Sequence, residues 1–252
     1  MSQILKETRL MFNWNLRMTL RNPVWPIFGL IQPILYLLLF APLLDNLGNG
    51  IPKGEGLNVF TPGLLVMMGM FNAAFAGIYI LESLQNGVLE RMRVTPISRT
   101  ALLLGLLLRD VLVFLFECAI LIAGALLLGL DPDPLGLVLL FAMLALINLT
   151  IGTLSYGLAL AVRNQDAFFQ TIQFFVVPLQ LLSGILLPMS LAPRILRNIS
   201  EANPFTHAVE AGRYMVAGNS GDREVVLAFG IFIVLTLLAF NWVRGSLHKA
   251  AA

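Results

Sequence analysis

Three ionisable side chains stand inside long apolar runs of this sequence: the neighbours Arg109 and Asp110, and Glu117 about two turns further along the same run. A charge in hydrocarbon is costly, so such a group snorkels to an interface, pairs with another helix, or serves a passage for ions or polar solutes. Arg109 and Asp110 are expected near an interface, the arginine reaching water and the carboxylate pairing with a second helix. Glu117 lies deeper and is the most expensive group to bury. A single carboxylate makes a poor proton relay, which favours a hydrogen-bonded or protonated structural group at a contact between subunits.

Catalytic chemistry finds little to work with. The three lysines, Lys6, Lys53 and Lys249, never follow glycine in a Gly-Lys-Ser/Thr context, so no phosphate-cradling loop of that type is present and ATP is not bound in that way. His207 and His248 are far apart and carry no Cys/His/carboxylate cluster, and Cys118 is the only cysteine, so neither a metal centre nor a disulfide framework is expected. The stretch from Gly152 through Ser155 to Gly157 has the wrong spacing for a Gly-x-Ser-x-Gly nucleophile; its glycines read as helix-packing positions. No cofactor is implied.

The elements that would hold these side chains are helices in a membrane. Hydrophobic residues make up 58% of the chain, charged residues 12%, and the mean hydropathy is +0.85. A soluble domain carries about a quarter charged residues, so this chain cannot cover its surface with polar groups. Each spanning helix needs roughly 20 mostly apolar residues, and six runs qualify: 24–44, 58–80, 108–130, 135–162, 168–187 and 225–243. The first starts too late and lacks the small-residue cleavage pattern of a removable signal peptide. With the amino terminus inside, eleven lysines and arginines fall on the cytoplasmic side against five outside, so both termini are expected in the cytoplasm. A net charge of +2 with its cations clustered beside the spans gives no support for nucleic-acid binding. Short connections leave no room for a soluble domain, so residues 1–252 form one transmembrane domain.

Three segments break the pattern of plain spans and turns. In residues 1–23, Arg9, Asn13, Arg17 and Arg21 repeat every fourth residue with Lys6 a turn earlier, while Ile4, Met11, Trp14 and Met18 fall on another face. That is the pattern of an amphipathic helix lying in the membrane interface. In residues 81–100, Leu84, Val88, Leu89 and Met92 recur at helical spacing among Glu82, Glu90, Arg91 and Arg93; Thr95 and Pro96 stop this helix, and Ser98 or Thr100 caps the next. Such a helix either docks in a partner's groove or rests on lipid headgroups. The apolar run from Ala101 would then be about 45 Å long, more than the hydrocarbon needs. In residues 188–224, Pro188, Pro193 and Pro204 interrupt helix inside a segment too apolar for a solvated loop, while Arg194 and Arg197 share one helical face. A pair of short helices re-entering the outer leaflet fits, since irregular backbone at membrane depth needs protein or water around it.

Two blocks of residues carry a family resemblance. Glu82, Gly87, Glu90-Arg91, the run Val94-Thr95-Pro96-Ile97-Ser98-Arg99 and then Leu104-Gly105 through Leu108-Arg109-Asp110 form the first; Leu182-Ser183-Gly184 through Pro188, Ala192-Pro193, Asn203-Pro204-Phe205-Thr206, Arg213 and Gly218 form the second. In this order they resemble the permease subunits of type-2 ABC exporters, a family of drug-resistance and polysaccharide exporters, over almost the whole chain. The resemblance implies an all-α integral membrane fold of six spans with an N-terminal interfacial helix (Lys6, Arg9, Arg17, Arg21). It implies a coupling helix that touches the ATPase subunit through Glu82, Leu84, Gly87, Val88, Leu89, Glu90, Arg91, Met92, Thr95, Pro96 and Arg99. It also implies re-entrant helices acting as an external gate, with Pro188, Arg194, Arg197, Asn203, Pro204 and Arg213. The implied partners are an ABC ATPase subunit, a second permease, identical or different, and the lipid of the cytoplasmic (inner) membrane. The expected cargo is hydrophobic or amphipathic, a drug or lipid-linked product, because the spans offer few polar groups. Clustered Phe168, Phe169, Phe174 and Phe175 keep a polysaccharide open as cargo. The rival reading is a gradient-driven channel or secondary transporter, for which Glu117 is the one hint.

Overall fold

Helix ends in this chain are set by local chemistry. Ser98 accepts the Ala101 N–H at 3.3 Å, Asp133 the Gly136 N–H at 2.8 Å, Asn164 the Ala167 N–H at 2.9 Å and Asn203 the Phe205 N–H at 3.1 Å, so four helices start on side-chain caps. Pro134 and Pro204 follow two of those caps at the first helical position, where the missing N–H costs nothing. Arg163 ends a helix in the left-handed region at φ 53°.

The computed structural model describes residues 2–22, 24–44, 56–86, 98–185 and 193–249. In chain order the elements are α1 (Ser2–Arg21), α2 (Val24–Leu44), α3 (Gly56–Phe75), α4 (Ile78–Gln85), α5 (Arg99–Leu127), α6 (Pro134–Val162), α7 (Gln165–Leu181), α8 (Arg194–Glu201), α9 (Pro204–Val216) and α10 (Arg223–Lys249), with no strand among the described residues. Four stretches are long and apolar enough to cross a membrane: Gly56–Gln85, Thr100–Leu127, Pro134–Val162 and Arg223–Val243. Two of the six expected spans are shorter. The apolar part of α2 covers Ile27–Pro42, in a helix interrupted by Pro33 and Pro42. Helix α7 has 17 residues and gives way at Leu181 to a turn that reaches φ +70° at Gly184.

Helix α6 is the hub, packed on α3, α5, α7, α9 and α10. Its inward side chains Met143, Leu144, Ile147 and Tyr156 are fully buried with Leu64 and Leu65 of α3, Phe114 of α5, Ala208 and Val209 of α9 and Phe232 of α10. Small residues let backbones close up: a Cβ on Gly157 would strike Val243 at 2.6 Å, and one on Gly152 would press Leu107 at 3.2 Å. These are packing positions, as read from the sequence. Helix α1 lies along the first turns of α5 and buries Thr8, Met11 and Asn15 there, one stripe at i, i+3 and i+7. Ile4, Trp14 and Met18, expected on the apolar face with Met11, stay exposed, and Lys6, Arg9, Arg17 and Arg21 point away from α5. Two of the three side chains in this stripe are polar, and Asn15 finds its partners in the Met11 carbonyl of its own helix and the Tyr79 hydroxyl of α4.

The expected second span is one path but two helices. It breaks at Ala76–Gly77, between α3 and α4.

Candidate functional site

At the α1 end of the bundle a polar network joins four helices. Asn15 of α1 turns its amide back on the Met11 carbonyl (2.8 Å) and accepts the Tyr79 hydroxyl of α4 at 3.1 Å. Arg109 of α5 donates to the Thr19 hydroxyl of α1 at 3.2 Å and lies over the Tyr79 ring, 5.2 Å from its centroid. Asp110 sits with its Oδ1 2.9 Å from Arg109 Nε, and its second oxygen accepts the hydroxyl of Tyr156 on α6. Each charge is thereby compensated inside the chain, the condition for tolerating it in low dielectric. Arg109 and Asp110, read from sequence as an interfacial pair, have their partners on α1 and α6.

A second tie reaches α1 from the other side of the same connection. The Ser98 N–H, one residue before α5, donates to the Glu7 carboxylate at 2.9 Å. That backbone hydrogen bond, with help from the Ser98 hydroxyl, holds the Glu7 carboxyl below the usual carboxylate range. Helix α1 is therefore bonded to the connection at both flanks, by Asn15 to Tyr79 ahead of it and by Glu7 to Ser98 after it. Gly105 makes the fit possible, because a Cβ there would lie 2.7 Å from Met11 Cβ.

Between Tyr79 and the core lies the break in the second span. Gly77 has lost its helical acceptor, and its N–H donates to the Ser155 hydroxyl at 2.9 Å; the same hydroxyl donates to the orphaned Ala74 carbonyl at 2.5 Å. One serine on α6 thus satisfies both backbone groups that the break frees. A side chain on Gly77 would strike the Ser155 backbone at 2.6 Å.

Of the residues expected to touch an ATPase, Glu82 and Leu84 lie in α4 and Arg99 opens α5. Gly87, Val88, Leu89, Glu90, Arg91, Met92, Thr95 and Pro96 lie outside the described residues, as does Pro188 of the second block. Glu117 is buried at 2% exposure between α5, α3 and α2, accepts the Asn72 amide at 3.1 Å, and has Gly29 beside its other oxygen. Its partner is within its own chain.

The second block forms at the opposite end of α6. Asn203 donates to the Leu179 carbonyl (2.7 Å), Thr206 to Leu182 (3.1 Å) and Arg213 to Gly184 (2.8 Å), so three side chains at the start of α9 and along it take the free carbonyls where α7 ends. Arg213 also donates to the Val59 carbonyl of α3 at 3.0 Å, and burial pushes its guanidinium down to about 10, which leaves it charged at neutral pH. Helix α9 buries most of one side, against α3, α6 and α10. Helix α8, led by Pro193, does the reverse: Ile195, Leu196 and Ile199 are exposed on one face and Arg194 and Arg197 on the other. Asn203 thus caps α9, Pro204 opens it and Arg213 lies further along the same helix.

Along α7 an open groove of about 610 Å³ is lined by Phe169, Gln170, Gln173, Phe174, Val177 and Pro178. Phe174 and Phe175 are 74% and 60% exposed, whereas Phe168 is buried against Gly77 and belongs to the core.

Sequence reasoning passed over Asn15, Thr19, Tyr79, Ser155 and Tyr156 as members of the network. For Tyr79, Ser155 and Tyr156 a signal was available, since polar side chains in runs that otherwise read as apolar need partners.

Residues 6–216 match the model of the ABC-2 type transporter family. The chain is 28% identical over 217 residues to the daunorubicin resistance ABC transporter permease protein DrrB1 of Streptomyces coeruleorubidus, covering 85% of this chain and 76% of that protein. It is 30% identical over 205 residues to the putative transport permease ycf38 of Cyanophora paradoxa, covering 79% and 70% of the two chains. The linearmycin resistance permease protein LnrN of Bacillus subtilis is 24% identical over 179 residues, 70% of this chain and 45% of that one.

Proposed function

Since the chain belongs to the ABC-2 type transporter family, and is a multi-pass membrane permease, we propose that it is the permease subunit of an ATP-driven exporter, moved by a separate ABC ATPase and paired with a second permease. The observation that carries the coupling is the double tie of α1 to the connection between α4 and α5, through Asn15–Tyr79 and Glu7–Ser98. A partner pressing on that connection displaces α1 with it, and the Thr19–Arg109–Asp110–Tyr156 chain passes the displacement to α6, the hub. The Gly77 break lets α4 swing without dragging α3 as a rigid rod. In this reading the chain spans six times with both termini in the cytoplasm, α2 and α7 crossing as the short spans.

The path for cargo runs along α7. Two amides, Gln170 and Gln173, exposed on a spanning helix face, are costly against lipid and need protein or water beside them. The groove's mixture of phenylalanine and amide suits an amphipathic molecule, in keeping with relatives named for resistance to daunorubicin and linearmycin. Because Phe168 is committed to the core, the aromatic surface for a polysaccharide is smaller than the sequence suggested. At the far end α9, holding the α7 carbonyls, serves as the gate.

The test is co-purification of the wild-type chain and an Arg91→Glu, Met92→Asp double variant from native membranes, with bound ATPase and vesicle ATP hydrolysis measured. Wild type brings down an ATPase subunit and the folded variant loses it. If wild type carries no ATPase in mild detergent, the coupling reading fails and a gradient-driven mechanism takes its place.

A further inference from the structure

His207, on the first turn of α9, places both ring nitrogens against oxygens of other helices. Nδ1 lies 3.1 Å from Glu224 Oε2 in the first turn of α10, and Nε2 lies 3.0 Å from the backbone carbonyl of Glu201 at the end of α8. A backbone carbonyl only accepts, and so does an ionised carboxylate. A neutral imidazole carries one N–H and fills one of these contacts. Two contacts need two protons, shared between the ring and the Glu224 carboxyl.

We infer that His207 is a proton-operated latch, joining the end of α8 and the start of α10 to α9 when it holds both bonds and freeing one helix when a proton leaves. The placement gives that single bond leverage. Ser200, the one buried side chain of α8, lies in the same C-terminal turn that His207 grips. Helix α10 enters from the turn at Asn219–Asp222, where the Asp222 carboxylate caps the Glu224 N–H at 3.0 Å. The other charges around the ring are few. Glu210 and Arg213 follow on α9, Arg194, Arg197 and Glu201 belong to α8, and Asp222, Arg223 and Glu224 stand at the start of α10, while α3 and α6 carry no charged side chain. Burial, and then the charge of Glu224, hold the Glu210 carboxyl above the usual range, so it titrates apart from an ordinary surface carboxylate.

The latch is independent of which motor drives the chain, and it is tested on the permease alone in liposomes. In a Cys118→Ala background, spin labels at Asn198→Cys and Val226→Cys report the α8–α10 distance, and a His248→Gln version leaves one histidine for nitrogen NMR. When the sample is taken from about pH 8 to about pH 5.5, the distance distribution narrows to one population as both contacts of the ring fill. His207→Asn stays broad at both pH values. Glu224→Gln stays narrow, because an amide can donate to the ring nitrogen that a carboxylate cannot serve. A distribution that ignores pH in the wild-type background, or a wild-type pH response in either variant, overturns the latch.

Discussion

Asp110 receives one oxygen's hydrogen bond from Tyr156 and the other's charge contact from Arg109, and is buried where neither can be replaced by water. Tyr156→Phe keeps the ring and its packing but strands an acceptor, which costs about 1–3 kcal/mol. The expected result is a clear drop in the thermal midpoint of the detergent-solubilised chain. A variant as stable as wild type would mean that Asp110 has another donor. At Glu7 the effect is one of pH. Its carboxyl is held below the usual 4.5 by the Ser98 N–H, so the tie contributes fully above that value and is lost only as pH falls through the lowered one. A carbon NMR titration of the Glu7 carboxyl places its midpoint under 4.5; a midpoint at or above it would remove the tie to Ser98. Asp110 was partly legible and Glu7 was not. Arg109, Asp110 and Glu117 stood out as charges in apolar runs, but their partners did not, because hydrogen bonds such as Arg109–Thr19 join residues 90 positions apart. Nothing in a periodicity pattern ranks one distant hydroxyl over another.

Among the elements, the long helix of the third span was readable with a cap at Ser98 or Thr100, and Ser98 is the one that takes the role. The break in the second span was not. The stretch 58–80 is apolar throughout, and glycine within a spanning helix is ordinary; what breaks the helix is Ser155 on another element offering the freed groups a better partner. Ser155→Ala therefore leaves the Gly77 N–H and the Ala74 carbonyl unpaired, at about 1–3 kcal/mol each when buried. Reduced resistance to unfolding, with unchanged helix content, is the expected readout, and an unaltered stability would show that the break holds without the hydroxyl. The seat of α1 admits a separate test. Gly105→Val drives a side chain into Met11 Cβ and the Phe12 amide, which stand 2.7 and 3.0 Å from a bare Cβ. Amide exchange in α1 should rise about tenfold or more, with α6 protected as before. If α1 stays equally protected, its contact with α5 is looser than the close approach requires.

At the scale of the molecule, the exposed faces of the helices differ in kind. Helix α10 presents Val226, Ile233, Val234, Leu237 and Leu238, a face that lipid covers without loss. Helix α7 presents Phe174 and Val177 together with Gln170 and Gln173, and hydrocarbon offers those amides nothing. A second permease turned about a two-fold axis would bring the same face opposite itself, so that amide meets amide and the groove between them becomes the passage. Cysteine placement distinguishes the two faces. In a Cys118→Ala chain, Gln173→Cys should give a cross-linked pair with a short bis-maleimide in native membranes, whereas Leu237→Cys on α10 should not. Cross-linking through Leu237→Cys with none through Gln173→Cys would move the seam to α10 and leave the α7 amides to a water-filled path within one permease. The gate proposed for α9 would then act on a single chain, since the side chains that hold the α7 carbonyls belong to the same polypeptide.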